Sequence, residues 1–167
     1  MIEEEIHGPI RPIKKRQRKL IVVVDDSPES KVAIRFAAAR AAHITGGGLI
    51  LFHCIRPSEF QHWVAVADRM REEAIEEAEE LLNGVSSKLH EYCGINPSVH
   101  IAEGEPKDEL RKYIKEHGDI FGLVLGAGPE GEPGPLVDYF TSEVGDMPCI
   151  IMLVPGSMTF EQVDAMA

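Results

Sequence analysis

The chain has 167 residues, 44% hydrophobic and 27% charged, which is enough for one hydrophobic core and too little for two domains of ordinary size. Seventeen Lys and Arg against 28 Asp and Glu leave a formal net charge of −11, which repels nucleic acid and anionic lipid over most of the surface and sets both aside as partners. The longest apolar runs, Leu20 to Val24 and Cys149 to Val154, fall far short of the ~20 residues a bilayer requires. No apolar signal core opens the chain, so a cytoplasmic location is expected.

Residues 1–18 are polar, with Glu3 to Glu5 followed by Arg11, Lys14, Lys15, Arg16 and Arg18; they read as a flexible charged arm ahead of the core. Leu20 to Val24 is a β-branched run suited to a strand buried on both faces of a parallel sheet. Asp25-Asp26-Ser27-Pro28 ends it, with Ser27 placed to cap a helix and Pro28 at its first position; Val32, Phe36, Ala39 and His43 share a face until Gly46-Gly47-Gly48. Leu49 to Ile55 is a second strand. After Pro57 comes a long helix whose buried stripe is Met70, Ala74, Ala78, Leu81, Val85 and Leu89, with Glu72, Glu73, Glu76, Glu77, Glu79 and Glu80 on its solvated faces. Ser98 to Ala102 is a third strand, Pro106 to His117 a helix, and Ile120 to Leu125 a fourth strand that runs into the glycine-rich stretch Gly126 to Pro135. A short helix over Leu136 to Val144 and a fifth strand over Cys149 to Val154 complete a domain spanning 19–155, and 156–167 form a tail of weak helical character.

Strands alternating with helices imply parallel strands, right-handed crossovers and helices on both faces of an open sheet, an α/β fold. Ligands of such sheets bind beyond the carboxyl ends of the strands, where strand order reverses. Cys54, Cys93 and Cys149 are too widely spaced for a C-x-x-C site, and the seven histidines lack ligand spacing, so neither a disulfide framework nor a metal site is expected.

Two five-stranded families begin in a similar way. The paired acids Asp25-Asp26 resemble the start of a response-regulator receiver domain, but the third strand ends at Glu103 in place of a phosphoacceptor aspartate, and 118–167 contain no lysine. From Lys19 to Val154 the chain resembles the universal stress protein family. The residues that carry the resemblance are the first strand ending in Asp25 with Ser27 beyond it, His53-Cys54 closing the second, Gly104 and Pro106 before the next helix, the glycine loop after Leu125, and Met147-Pro148-Cys149-Ile150-Ile151.

This resemblance implies a Rossmann-like five-stranded parallel sheet in the order 3-2-1-4-5, with Asp25 and the glycine loop facing one crevice. It also implies an adenine-nucleotide site for ATP, with Mg2+ as a possible companion. Asp25 would serve the ribose and adenine end, the backbone at Cys54 the base, and Gly126, Gly128, Gly131, Thr141 and Ser142 the phosphates. The family spacing G-x-x-G, nine residues, G-S/T is met by Gly128-Pro129-Glu130-Gly131 and Thr141-Ser142, with threonine in place of the last glycine and Gly126-Ala127 lengthening the loop.

The function expected is that of a cytoplasmic stress-response module that binds nucleotide and signals through partner contacts, as a homodimer paired through its last strand. The alternative is a dimeric interaction protein of the same fold without nucleotide. Enzymatic activity fits least, as a slow ATPase at most, because no Walker lysine or activated Ser-His pair is present.

Overall fold

Alternating side chains of the first strand, Lys19–Val23 (β1), divide the molecule into two cores. In the computed structural model, which describes residues 18–57 and 64–167, Leu20, Val22 and Val24 enter one core and Ile21 the other, all essentially without solvent contact. Around β1 lie Gly48–Ile55 (β2), Ser98–Glu103 (β3), Ile120–Ala127 (β4) and Ile150–Pro155 (β5). They form one five-stranded sheet in the order β3-β2-β1-β4-β5, every pair parallel. The chain therefore has the doubly wound α/β fold and strand order implied by its sequence. The basic arm, Arg18 apart, lies outside the described residues, as do 58–63.

Among the described residues five α-helices accompany the sheet: Pro28–Ala42 (α1), Val64–Cys93 (α2), Pro106–Glu116 (α3), Pro135–Ser142 (α4) and Phe160–Met166 (α5). Helix α1 is alanine-rich and buried on several sides, with Ala33, Ala37 and Ala38 fully covered; small side chains let it lie close to β1, β4 and β5. His43 is its exposed C-cap residue, outside the buried face on which the periodicity placed it. The acids of α2 are exposed as expected, and Ala78, Leu82 and Leu89 are its most buried side chains. Met70, expected in the buried stripe, is 38% exposed.

Two boundaries move. Strand β4 continues through Gly126 and Ala127, which pair with Val154 and Pro155, so these residues belong to the ladder rather than to the loop. Helix α4 stops at Ser142 and a 3-10 turn, Val144–Asp146, follows. At the chain end α5 carries a capping box between Thr159 and Gln162 and buries Val163 completely. Its Asp164 takes two bonds from the Arg35 guanidinium, at 2.7 and 2.6 Å, and one from the Tyr92 hydroxyl at 2.6 Å, which clamps α5 to α1 and α2. Arg35 also lies over the Tyr92 ring, 3.9 Å from its centroid.

Candidate functional site

Strand order reverses between β1 and β4, and beyond their carboxyl ends lies a cleft of about 270 Å3. Its walls come from the end of β1 and first turn of α1, the end of β2, Pro106 at the start of α3, Leu125 and Gly126 of β4, and Pro133 to Val137 leading into α4. The volume sits near the lower end of small-molecule pockets, about 300–1,000 Å3.

The β1–α1 turn is held by a short relay. Ser27 caps α1, its Oγ accepting the Ser30 N–H at 3.2 Å, while the Ser27 N–H donates to Asp25 Oδ1 at 2.8 Å and the Ser27 hydroxyl donates to the same oxygen. The Asp25 N–H donates to Ser30 Oγ at 3.1 Å, and the Ser30 hydroxyl, on a residue buried to 3% exposure, donates a hydrogen bond to the Val23 carbonyl at 3.1 Å. Asp25 therefore fixes the turn with one carboxylate oxygen and presents an exposed side chain to the cleft. Asp26 is exposed and does not line the cleft.

At the end of β2, His53 Nδ1 lies 2.7 Å from the Val24 carbonyl. A carbonyl only accepts, so in the neutral ring Nδ1 carries the proton and Nε2 is the acceptor. Cys54 is half-buried, its thiol directed to the Gly104 carbonyl at 3.5 Å; burial, followed by the charges of Glu109 and Glu105, pushes the thiol up to about 11. It is an uncharged lining group near neutral pH, unsuited to nucleophilic or thiolate-ligand chemistry. Arg56, loosely paired with Glu105 at 3.9 Å, supplies a cation to the wall beside it.

The glycine residues divide into different jobs. Gly126 lines the cleft because α1 nests against it: a Cβ there would lie 2.5 Å from the Glu29 carbonyl carbon. Gly128 and Gly131 shape a turn outside the lining, with the Gly128 N–H bonded to the Pro133 carbonyl at 3.0 Å and the Glu132 N–H to Pro129 at 2.9 Å. Gly131, at φ +83°, takes the position a type II turn reserves for glycine. Thr141 and Ser142 lie in the last turn of α4, exposed, their hydroxyls donating to the Val137 and Tyr139 carbonyls at 2.7 Å each. Asp25, Cys54 and Gly126 are thus brought together in the cleft, and Gly128, Gly131, Thr141 and Ser142 are not part of its lining.

Sequence spacing misses Gly134, which caps α4 at φ +111° without a side-chain bond and lines the cleft, so that the amino-terminal ends of both α1 and α4 face one space. It also misses Glu29, His53 and Arg56. The pattern Gly-Pro just ahead of an apolar run is a helix-start signal that marks Gly134-Pro135 as the true entrance to α4. Behind the cleft, Arg111 of α3 donates to the Tyr139 hydroxyl at 2.8 Å and to Glu143 at 3.1 Å and pairs with Asp146, fixing α4 in place. Among the described residues no group of three or more His, Cys, Asp or Glu side chains could hold a metal, and no helix is long and apolar enough to cross a membrane.

A parallel sheet with an open cleft at its strand-order reversal is the doubly wound α/β class of domain, whose ligands enter at that crevice. The sequence model of the universal stress protein family matches residues 17–126, about two thirds of the chain, and the protein belongs to that family. The curated proteins include no match. Among solved structures, universal stress protein UspA from Lactobacillus plantarum is 19% identical over 84% of this chain and 99% of its own, with a TM-score of 0.66. The universal stress protein from Archaeoglobus fulgidus in complex with dAMP is 21% identical over 81% of this chain and 96% of its own, with a TM-score of 0.56. A universal stress protein family protein from Arabidopsis thaliana with AMP bound is 21% identical over 83% of this chain and 91% of its own, with a TM-score of 0.58.

Proposed function

We propose that the protein is a cytoplasmic stress-response module that holds an adenine nucleotide in the β1/β4 cleft and changes its partner contacts when the cleft fills. The observation that carries this reading is the convergence of Asp25, His53 and Cys54 on one cleft whose floor is apolar and whose rim offers two helix amino termini. Asp25 Oδ1 is committed to Ser27, and its second oxygen is the group for a ribose hydroxyl. Val23, Leu125, Leu136 and Val137 suit the faces of a base. Structural relatives that bind AMP and dAMP support the same ligand class.

The module is a homodimer in this reading, paired through β5, the sheet edge on which Ile150 and Leu153 are 63% and 44% exposed. A second reading, an interaction protein without nucleotide, is favoured by the spent N–H groups of Gly128 and Glu132. Mass spectrometry of small molecules released by denaturing freshly purified protein separates the two: an adenine nucleotide near stoichiometric amount supports the first. Empty protein that also fails to bind added AMP supports the second.

A further inference from the structure

At the cleft lip the amino end of α4 offers amides to one phosphate, and a longer phosphate chain leaving along the turn between β4 and α4 would need further donors or cations. The Gly128 N–H is taken by Pro133 and the Glu132 N–H by Pro129. The Thr141 and Ser142 hydroxyls serve carbonyls of their own helix, at its carboxyl end, where the helix dipole is negative. Arg56, the one Lys or Arg among the described residues that line the cleft, follows β2, two strand positions and therefore about 10 Å from β4.

What stands at the turn is a carboxylate. Glu29 lines the cleft, and its Oε1 lies 3.6 Å from where a Cβ on Gly128 would be. Its backbone has little freedom to withdraw, because α1 is seated between two glycines: a Cβ on Gly126 would come 2.5 Å from the Glu29 carbonyl carbon, and one on Gly156 would come 2.6 Å from Glu29 Cβ. The Glu29 carboxylate therefore stands beside the turn along which a second and third phosphate would leave. A like charge at such range is worth roughly a factor of ten or more in occupancy.

We infer that the cleft takes an adenine nucleoside carrying at most one phosphate and rejects the triphosphate, with Glu29 as the residue that sets this limit. The inference rests on the nucleotide reading above and narrows it. Calorimetric titration of the full chain with adenosine, AMP, ADP and ATP, each with and without Mg2+, tests it. Adenosine and AMP are expected to bind within about tenfold of each other, and ATP at least about tenfold more weakly than AMP in both conditions. Glu29→Gln should narrow that gap about fivefold or more by strengthening ATP, with AMP little changed. Glu130→Gln, the same charge change on the exposed turn outside the cleft lining, should leave the gap as it is. ATP or its Mg2+ complex binding as tightly as AMP overturns the inference while leaving nucleotide binding intact, and so does a gap closed equally by Glu130→Gln. Failure of all four ligands overturns both. Circular dichroism checks that the variants fold, and should Glu29→Gln not fold, the wild-type ratio of AMP to ATP affinity decides.

Discussion

Gly126→Ala separates packing from ligand binding at a residue that the family resemblance assigns to the phosphate loop. The added Cβ would lie 2.5 Å from the Glu29 carbonyl carbon, whereas ordinary contact begins near 3.4 Å, so the first turn of α1 has to retreat by about 1 Å. It cannot do so freely, since Glu29 Cβ is also the near neighbour of Gly156, and Ser27 and Ser30 in the same turn hold the end of β1. Overpacking of this kind costs about 1–3 kcal/mol, and a clash with backbone rather than a flexible side-chain tip belongs in the upper half of that range. For a domain of this size ~2 kcal/mol corresponds to a fall in Tm of about 4–8 °C. Urea denaturation followed by far-UV circular dichroism should show a lower midpoint with an unchanged m-value. Gly131→Ala, with no atom within 4 Å of its new Cβ but a φ of +83°, should cost only about 1 kcal/mol. An unchanged midpoint for Gly126→Ala, or a larger loss for Gly131→Ala, would refute the packing argument.

Alkylation of Cys54 should be slow at neutral pH and accelerate only as pH approaches about 11, because burial holds the thiol protonated; rapid labelling of Cys54 by iodoacetamide at pH 7.5, located by peptide mapping, would contradict this. Val163→Ala should lower stability by about 2 kcal/mol, since the side chain is fully buried between α5 and α1, and a loss below ~0.5 kcal/mol would mean that α5 is not docked in solution. The Asp164 carboxyl is held down to about 2 by its bonds from Arg35 and then Tyr92. Its contribution is therefore complete above the unfolded carboxylate range near 4 and is lost as pH falls toward 2. Hydrogen exchange of α5 amides should stay constant from pH 7 to about 5 after correction for intrinsic rates, and the difference between wild type and Asp164→Asn should shrink below pH 4; a difference that is constant across that window would contradict the sign. Light scattering should give a dimer at micromolar concentration that Ile150→Lys dissociates, and a wild-type monomer would remove β5 as an interface.

The sheet was legible because its signals are local. Five β-branched or apolar residues in a row after Lys19, a Ser-Pro cap at Ser27-Pro28 and glycines at Gly46 to Gly48 state strand, helix and stop without reference to anything distant. The extent of β4 was not, because Gly126 reads as a loop residue until one knows that Glu29 of α1 occupies the space above it. The same holds for α5. Its periodicity is short, and what makes it a helix in place is the burial of Val163 and the clamp from Arg35, 129 residues away in sequence. The candidate site was half legible: Asp25 and Cys54 end strands whose order brings them together, and position on the fold is enough to place them. Thr141 and Ser142 keep the family's nine-residue spacing from Gly131, but α4 begins at Pro135, so six of those nine residues are helical and the pair lies at the helix's carboxyl end. Spacing counts residues, whereas a phosphate needs the amino end of a helix.

The central claim, that the β1/β4 cleft is a nucleotide site, is tested most directly by titrating 15N-labelled protein with AMP and mapping amide shifts. The claim predicts that the largest shifts cluster at Val24 to Ser30, His53 to Arg56, Gly126 and Gly134 to Val137, and that Asp25→Ala weakens the titration about tenfold or more while leaving the spectrum folded. No shifts at millimolar AMP, or shifts centred on the opposite end of the sheet around Gly46 to Gly48 and Cys93 to Asn96, would contradict it.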